Sequence, residues 1–250
     1  MNETKEVVIT VKALTVGYGE KVILEKLDFE VRRGEVFVIL GGSGCGKSTL
    51  LKHMIGLYEP MAGEVWFGPD NLVTAQGEDR IRILRKFGVM YQSGALFGSL
   101  TVLENVTLPL DEFTDLPTQA KELIALAKLK LVAMETAASQ MPADLSGGMQ
   151  KRAAIARAMA MDPDVLFFDE HTTGLDPVMA AELDRTILRL REKLHITVVV
   201  VTHDMTSIRR IADRGIMIAD KHIVAAGSIR EMEQSGDARV INFFMRQEGH

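Results

Sequence analysis

The nine residues GGSGCGKST, Gly41 to Thr49, restrict what this chain can fold into more than any other stretch. They fit the spacing G-x-x-x-x-G-K-[ST] at Gly41, Gly46, Lys47 and Ser48. An apolar run, Val36 to Leu40, leads into them, and TLLKHMIGL follows with helical character, so the loop has its strand before and its helix after. Glycines let successive backbone N–H groups turn inward, and the helix N-terminus adds its positive dipole end. Such a loop cradles phosphates. Every residue of Gly41, Gly42, Ser43, Gly44, Cys45, Gly46, Lys47, Ser48 and Thr49 is therefore a candidate for contact with a nucleotide such as ATP. Lys47 is expected to reach the β- and γ-phosphates, and the Ser48 hydroxyl to ligate Mg²⁺.

Before the loop, VVITVKALTV and VILEKLDFEV read as strands separated by the turn Gly17 to Lys21, which predicts an antiparallel opening. After the loop's helix come a short strand around Val65 to Phe67, a short helix, and the strand GVMYQ ending at Gln92. From Ser93 the residues turn rich in Leu, Ala, Lys and Glu, predicting a helical insert over about residues 93–160. Two unbroken apolar runs follow, VLFF at 165–168 and ITVVVV at 196–201. Both suit central strands of a parallel sheet. Between them Met179, Leu183, Ile187, Leu190 and Leu194 recur at helical steps. The tail reads as a hairpin around Asp220 and Lys221 followed by two short helices, with no separate C-terminal domain.

Open parallel sheets place ligands at the carboxyl ends of their strands, which gathers Lys47, Asp169 and His203. Asp169, closing VLFF, is placed to hold Mg²⁺ through its water shell, and Glu170 to polarise an attacking water as general base. In LSGGMQKRAAIARAMA, Ser146, Gly147 and Gly148 open a helix that makes a second anion-binding end. One site rarely needs two such ends. A head-to-tail pair of chains, in which Ser146 and Gly148 of one copy close over the γ-phosphate bound by the other, uses both.

Composition narrows the partners. A net charge of -5 supplies no basic footprint, so no nucleic-acid partner is expected. No apolar run approaches the ~18 residues of a spanning helix, the amino terminus lacks a leader pattern, and Cys45 is the single cysteine. Those features predict a cytoplasmic location.

GGSGCGKST, LSGGMQ, VLFFDE, GLDP and the VTHD around His203 together resemble the ATP-binding subunit of an ABC transporter, and the likeness spans essentially the whole chain. The resemblance implies an α/β P-loop NTPase, one nucleotide-binding domain over residues 1–250 with a RecA-like parallel-sheet core, an N-terminal antiparallel β subdomain and an inserted α-helical subdomain. It implies that Tyr18 stacks on adenine, that Gln92 touches Mg²⁺ and water, that Asp176 is the D-loop carboxylate, and that His203 contacts the γ-phosphate. With Lys47 and Glu170, Gln92 and His203 make up the expected catalytic set.

MYQSGALFGSLTVLENVTLPL, 90–110, is similar to the corresponding stretch of ATPases serving Mla-type, MCE-associated lipid transporters of Gram-negative bacteria. That likeness implies a second copy of the chain, integral membrane permease subunits, MCE-domain and STAS-domain partners, phospholipid cargo, and a place at the cytoplasmic face of the inner membrane. The alternatives are a soluble ABC-type ATPase without a permease, or an ABC importer or exporter ATPase for another cargo. Leu96, Phe97 and Leu100, directly after Gln92, suit either a docking face for a partner helix or the core of the helical insert. DEHTTGLDP departs from the family pattern, with His171 where a proline is usual. Its ring either turns to solvent or lies beside Glu170.

Overall fold

The computed structural model describes residues 6–246. β1 (Val7–Tyr18) and β2 (Lys21–Arg32) form the antiparallel pair expected from the turn between them. β3 (Val36–Gly41) is buried along its whole length and runs into the glycine loop and α1 (Lys47–Met54). β4 (Ala62–Phe67) returns to pair with β1 and carries the two-residue β5 (Asp70–Asn71) at its edge. These strands make one four-stranded sheet in the order β2-β1-β4-β5.

α2 (Gly77–Leu84) leads to β6 (Phe87–Met90), after which the chain loops to α3 (Val102–Phe113). Thr101 and Glu104 cap α3 reciprocally, each side chain taking the other's backbone N–H, which fixes where the loop ends and the helix begins. α4 (Thr118–Leu131) and α5 (Gly147–Ala158) complete a helical group, and Ala153 to Ala156 of α5 are buried. β7 (Val165–Asp169), α6 (Pro177–Leu194) and β8 (Thr197–Val201) follow as strand, helix, strand. α6 buries Leu183, Ile187 and Leu190, whereas Leu194 at its end is exposed. The chain closes with α7 (Met205–Ile211), β9 (Arg214–Ala219), β10 (His222–Ser228), α8 (Ile229–Glu233) and α9 (Ala238–Arg246).

The second sheet has six strands in the order β10-β9-β3-β8-β7-β6, parallel except for the edge strand β10. β3 therefore lies between β8 and β9, and the phosphate loop leaves the sheet beside the ends of both. The face of this sheet opposite α3 to α7 packs against the antiparallel sheet and α1, with Phe29 of β2 stacked on Phe37 of β3 at a centroid distance of 5.7 Å. The other face packs on the helices in a separate apolar cluster that includes Val38, Leu166, Phe168 and Ile187. Two layers of apolar packing hold the strand ends rigidly, and the candidate site is built on those ends. Among the described residues no helix is long and apolar enough to cross a membrane.

Candidate active site

The phosphate loop depends on glycine for steric reasons. Gly41 has φ +149°, and a Cβ there would sit 2.5 Å from the Ile218 carbonyl oxygen of β9. Gly46 has φ +105° at the start of α1, where a Cβ would come within 2.8 Å of Ile23. Lys47 is buried, and its Nζ donates to the carbonyls of Gly41 and Gly42 at 2.9 and 3.0 Å, so the ammonium already lies inside the loop. Gly42, Ser43 and Gly44 are exposed, and Cys45 is partly buried with its N–H on the Gly42 carbonyl.

Ser48, on the first turn of α1, donates its hydroxyl to Asp169 Oδ1 at 2.9 Å. Burial pushes the Asp169 carboxyl up and the charge of Glu170 adds to this, while the Ser48 hydroxyl and the ammonium groups of Lys52 and Lys47 pull it down. A buried carboxylate under that strain gains from a nearby cation.

Glu170 is the hub of the neighbouring group. Gln92 Nε2 donates to its Oε2 at 3.1 Å, Thr173 Oγ1 donates to the same oxygen at 3.1 Å, and His203 Nδ1 lies 3.2 Å from Oε1. The three partners come from the loop after β6, the loop after β7 and the end of β8. Their approach follows from the parallel order β8-β7-β6. Glu170 itself has φ +51°, a left-handed conformation that turns its side chain out of the strand's alternation.

Tyr18, 44% exposed, points its hydroxyl at Thr49 Oγ1 across 3.3 Å. Its ring meets Tyr58 edge-on at 5.4 Å and His53 at 6.2 Å. His53 is buried, with Nδ1 on the Thr49 carbonyl at 2.8 Å and Nε2 without a partner among the described residues.

The remaining expected residues stand apart. Ser146 and Gly147 are exposed, and the Ser146 hydroxyl accepts the local N–H of Met149. Gly148 is buried against Met179 of α6. Asp176 caps α6 through the N–H groups of Val178 and Met179, at 3.0 and 3.1 Å. Among the described residues, no hydrogen bond links Ser146, Gly147, Gly148 or Asp176 to the phosphate loop.

Two participants escaped the sequence reading. Thr173 was within reach of it, three residues after Glu170 in a turn. Lys151 was not: it is buried on α5, and its ammonium donates to the Gln92 carbonyl and, at 3.4 Å, to the Glu170 carbonyl. Burial pushes Lys151 down, against the upward pull of Glu170 and Asp169. His171 overturns both expectations stated for it. The ring is neither in solvent nor beside Glu170 but fully buried, with Nε2 2.8 Å from Asp184 Oδ1. The left-handed turn at Glu170 breaks the strand's alternation, so position 171 is not placed by counting along β7.

A phosphate loop leaving a parallel sheet at the end of β3, with a carboxylate pair at the same sheet edge on the end of β7, one strand beyond β8, defines a P-loop nucleotide hydrolase. Residues 24–173 match the family described as ABC transporter. The chain is 40% identical over 235 residues to the intermembrane phospholipid transport system ATP-binding protein MlaF of Haemophilus influenzae, covering 94% of this chain and 89% of that one. It is 40% identical over 226 residues to MlaF of Escherichia coli, covering 90% and 84%. Its fold superposes with a TM-score of 0.80 on the ATP-binding cassette MJ0796, solved as a dimer in a post-hydrolysis state with ADP and Pi, at 33% identity over 89% of this chain and 99% of that one. It superposes with a TM-score of 0.83 on cbiO1 of Clostridium perfringens, part of the cbiONQ ABC transporter complex, at 26% identity over 98% of both. The chain belongs to the ABC transporter ATP-binding family, has the P-loop ABC ATPase fold, and is an ATP-binding, ATP-hydrolysing protein.

Proposed function

We propose that this chain is the motor of a phospholipid-transporting ABC system, hydrolysing ATP between two head-to-tail copies and driving membrane permease subunits. The observation that carries the hydrolytic part is the convergence of Gln92, Thr173 and His203 on Glu170, next to the Ser48–Asp169 pair. Glu170 accepts the proton of the attacking water, Gln92 and His203 hold water and γ-phosphate in line, and Lys47 exchanges its loop carbonyls for phosphate oxygens. Gly41 to Thr49 wrap the phosphates, and Tyr18 offers its exposed face to adenine.

The donor set fits Mg²⁺. Ser48 and Asp169 present hard oxygens 2.9 Å apart, the raised Asp169 carboxyl calls for a cation, and Gln92 can turn its amide oxygen towards them. Among the described residues no group of three or more His, Cys, Asp or Glu could hold a metal, as suits an ion held mainly by phosphate and water. When bound, Mg²⁺ would be held by Ser48 and, through water, by Asp169, and would offset negative charge developing on the phosphates.

The exposed Ser146 and Gly147, the helix end at Gly148 and the cap at Asp176 support the dimer, since none of them joins the phosphate loop of its own chain. The dimeric solved relative supports the same reading. Phospholipid cargo rests on the two MlaF relatives. A permease would hold the chain at the cytoplasmic face of the inner membrane, in a complex with MCE-domain and STAS-domain subunits.

An apolar groove of about 450 Å³ supports permease docking, with Tyr91, Phe97, Pro109 and Phe113 among its lining. Phe97 is 53% exposed on its rim, while Leu96 packs inward on the helical cluster. The loop expected to dock thus divides between the two roles open to it. The test is to purify the tagged chain from detergent extracts with wild-type Phe97 and with Phe97→Asp. An integral membrane protein that accompanies wild type and is lost from the variant, with ATP binding intact, is the expected result. A wild-type chain that comes away alone would favour the permease-free ATPase.

A further inference from the structure

His171, Asp184 and Ser207 are each fully buried and come from three segments: the loop after β7, α6 and α7. Asp184 Oδ1 accepts from His171 Nε2 at 2.8 Å and from the Ser207 hydroxyl at 2.7 Å, and Ser207 Oγ also lies 3.3 Å from that ring nitrogen. The second carboxylate oxygen, Oδ2, takes Arg210 Nη1 at 2.6 Å, closing the group towards solvent. Since both other groups use Asp184 as acceptor, Nε2 must carry a proton, and Nδ1 is left buried without a partner among the described residues. Leaving a polar atom unmatched is a cost, and burying an aspartate is another. An apolar residue at 171 would avoid the first.

What the group holds gives a reason to bear these costs. Residue 171 immediately follows Glu170, whose N–H is bonded to the Val201 carbonyl at 2.8 Å. Ser207 lies on the first turn of α7, and its N–H is capped at 3.2 Å by Asp204, the residue after His203. Glu170 is thus one residue from this buried group, His203 is joined to it through the Asp204 cap on Ser207, and the two side chains meet at 3.2 Å.

We propose that His171 is a positioning residue: through Asp184 and Ser207 it ties the segment bearing Glu170 to the helix that follows His203 and keeps the two in register for hydrolysis. This rests on the reading of Glu170 and His203 as hydrolytic residues. It does not route through any contact of His171 with nucleotide. A displacement of about 1 Å between reacting groups can cost about 100-fold in rate, so a loosened register appears in kcat and leaves ATP affinity alone.

Steady-state ATPase kinetics would be measured on the full chain for His171→Leu, His171→Gln, Ser207→Ala, His203→Ala and the double variant His171→Leu/His203→Ala, with melting temperatures alongside. His171→Leu is expected to lower kcat about 10- to 100-fold with KM for ATP changed less than about twofold. Gln carries an N–H donor at a reach similar to that of Nε2, so His171→Gln is expected to recover most of the loss. In the His203→Ala background, His171→Leu is expected to lower kcat no further, because the contact it protects is already gone. Ser207→Ala removes only a hydroxyl and carries the same kcat expectation should His171→Leu fail to fold. Losses that multiply in the double variant, or a kcat that follows melting temperature with no rescue by Gln, would overturn the proposal while leaving the reading of His203 intact. A His203→Ala chain with wild-type turnover would overturn that reading and the proposal with it.

Discussion

Lys151→Met is the most informative single change near the site, because it removes one ammonium while keeping most of the side chain's volume. The ammonium is buried and serves the carbonyls of Gln92 and Glu170, two residues on different loops whose side chains meet at 3.1 Å. A charged hydrogen bond contributes about 1.5–3 kcal/mol, and the longer contact to Glu170 less. Part of that is offset, since burial already disfavours the ammonium and methionine escapes that penalty. The net cost should be about 1–2 kcal/mol, or a fall of about 2–8 °C in melting temperature for a chain of this size.

The kinetic effect separates a structural strut from a part of the machinery. Lys151 makes no hydrogen bond to the phosphate loop, so ATP affinity should hold. Gln92 and Glu170 lose their common tether, and kcat should fall about tenfold, equivalent to about 1.4 kcal/mol of barrier. The assay pairs phosphate release at saturating Mg-ATP with thermal melting and equilibrium ATP binding. If kcat stays within twofold of wild type while the melting temperature drops, Lys151 is only structural and the tether argument is wrong.

Glu170→Gln should bind ATP but lose about 10²- to 10⁴-fold in turnover, whereas Lys47→Ala should lose binding itself; near-normal turnover in Glu170→Gln would remove it from the role of base. Tyr58→Ala should weaken ATP binding about three- to tenfold by releasing the Tyr18 ring from its edge-on neighbour, without altering affinity for inorganic tripolyphosphate, which has no base; calorimetry with both ligands checks it, and equal losses for the two would discard the ring cradle. Asp184→Ala should cost about 3–5 kcal/mol near neutral pH by leaving its buried partners unmatched. Burial opposes ionisation of Asp184, but its bonds to His171 and Ser207 and the nearby positive charge outweigh that and hold the carboxyl below its ordinary value. Its contribution is therefore complete above an unfolded value of about 3.9 and fades as pH falls through the lower folded one, so the gap in urea midpoint between wild type and variant should narrow below about pH 4; a gap that stays constant down to pH 3 would contradict the sign.

What could be read from residues alone was whatever local chemistry dictates. The glycines and lysine of 41–49 must lie in a loop between a strand and a helix, and the bodies of β3, β7 and β8 are runs of apolar residues because helices or a second sheet cover both their faces. The turn at 17–21 marked the antiparallel opening for the same reason. Strand order was not legible. β9 reads as half of a hairpin, which it is, but it is also the parallel neighbour of β3, and nothing in six residues announces a second partner. Lys151 was hidden because which way a residue of α5 faces is decided by packing that the surrounding GGMQKRAAIARA does not disclose.

His171 was hidden for a different reason, and that reason bears on how the site works. In a regular strand, consecutive side chains alternate, so a residue after the end of β7 would be placed by counting from Phe168. Glu170 breaks the count by adopting φ +51°, a conformation that costs a non-glycine residue about 1–2 kcal/mol. Such strain persists only where the surroundings impose it. Here the N–H of Glu170 is held by Val201, its carboxylate by Gln92, Thr173 and His203, and the residue after it by Asp184. The turn that aims Glu170 at its three partners is therefore the same turn that sets where the His171 side chain goes.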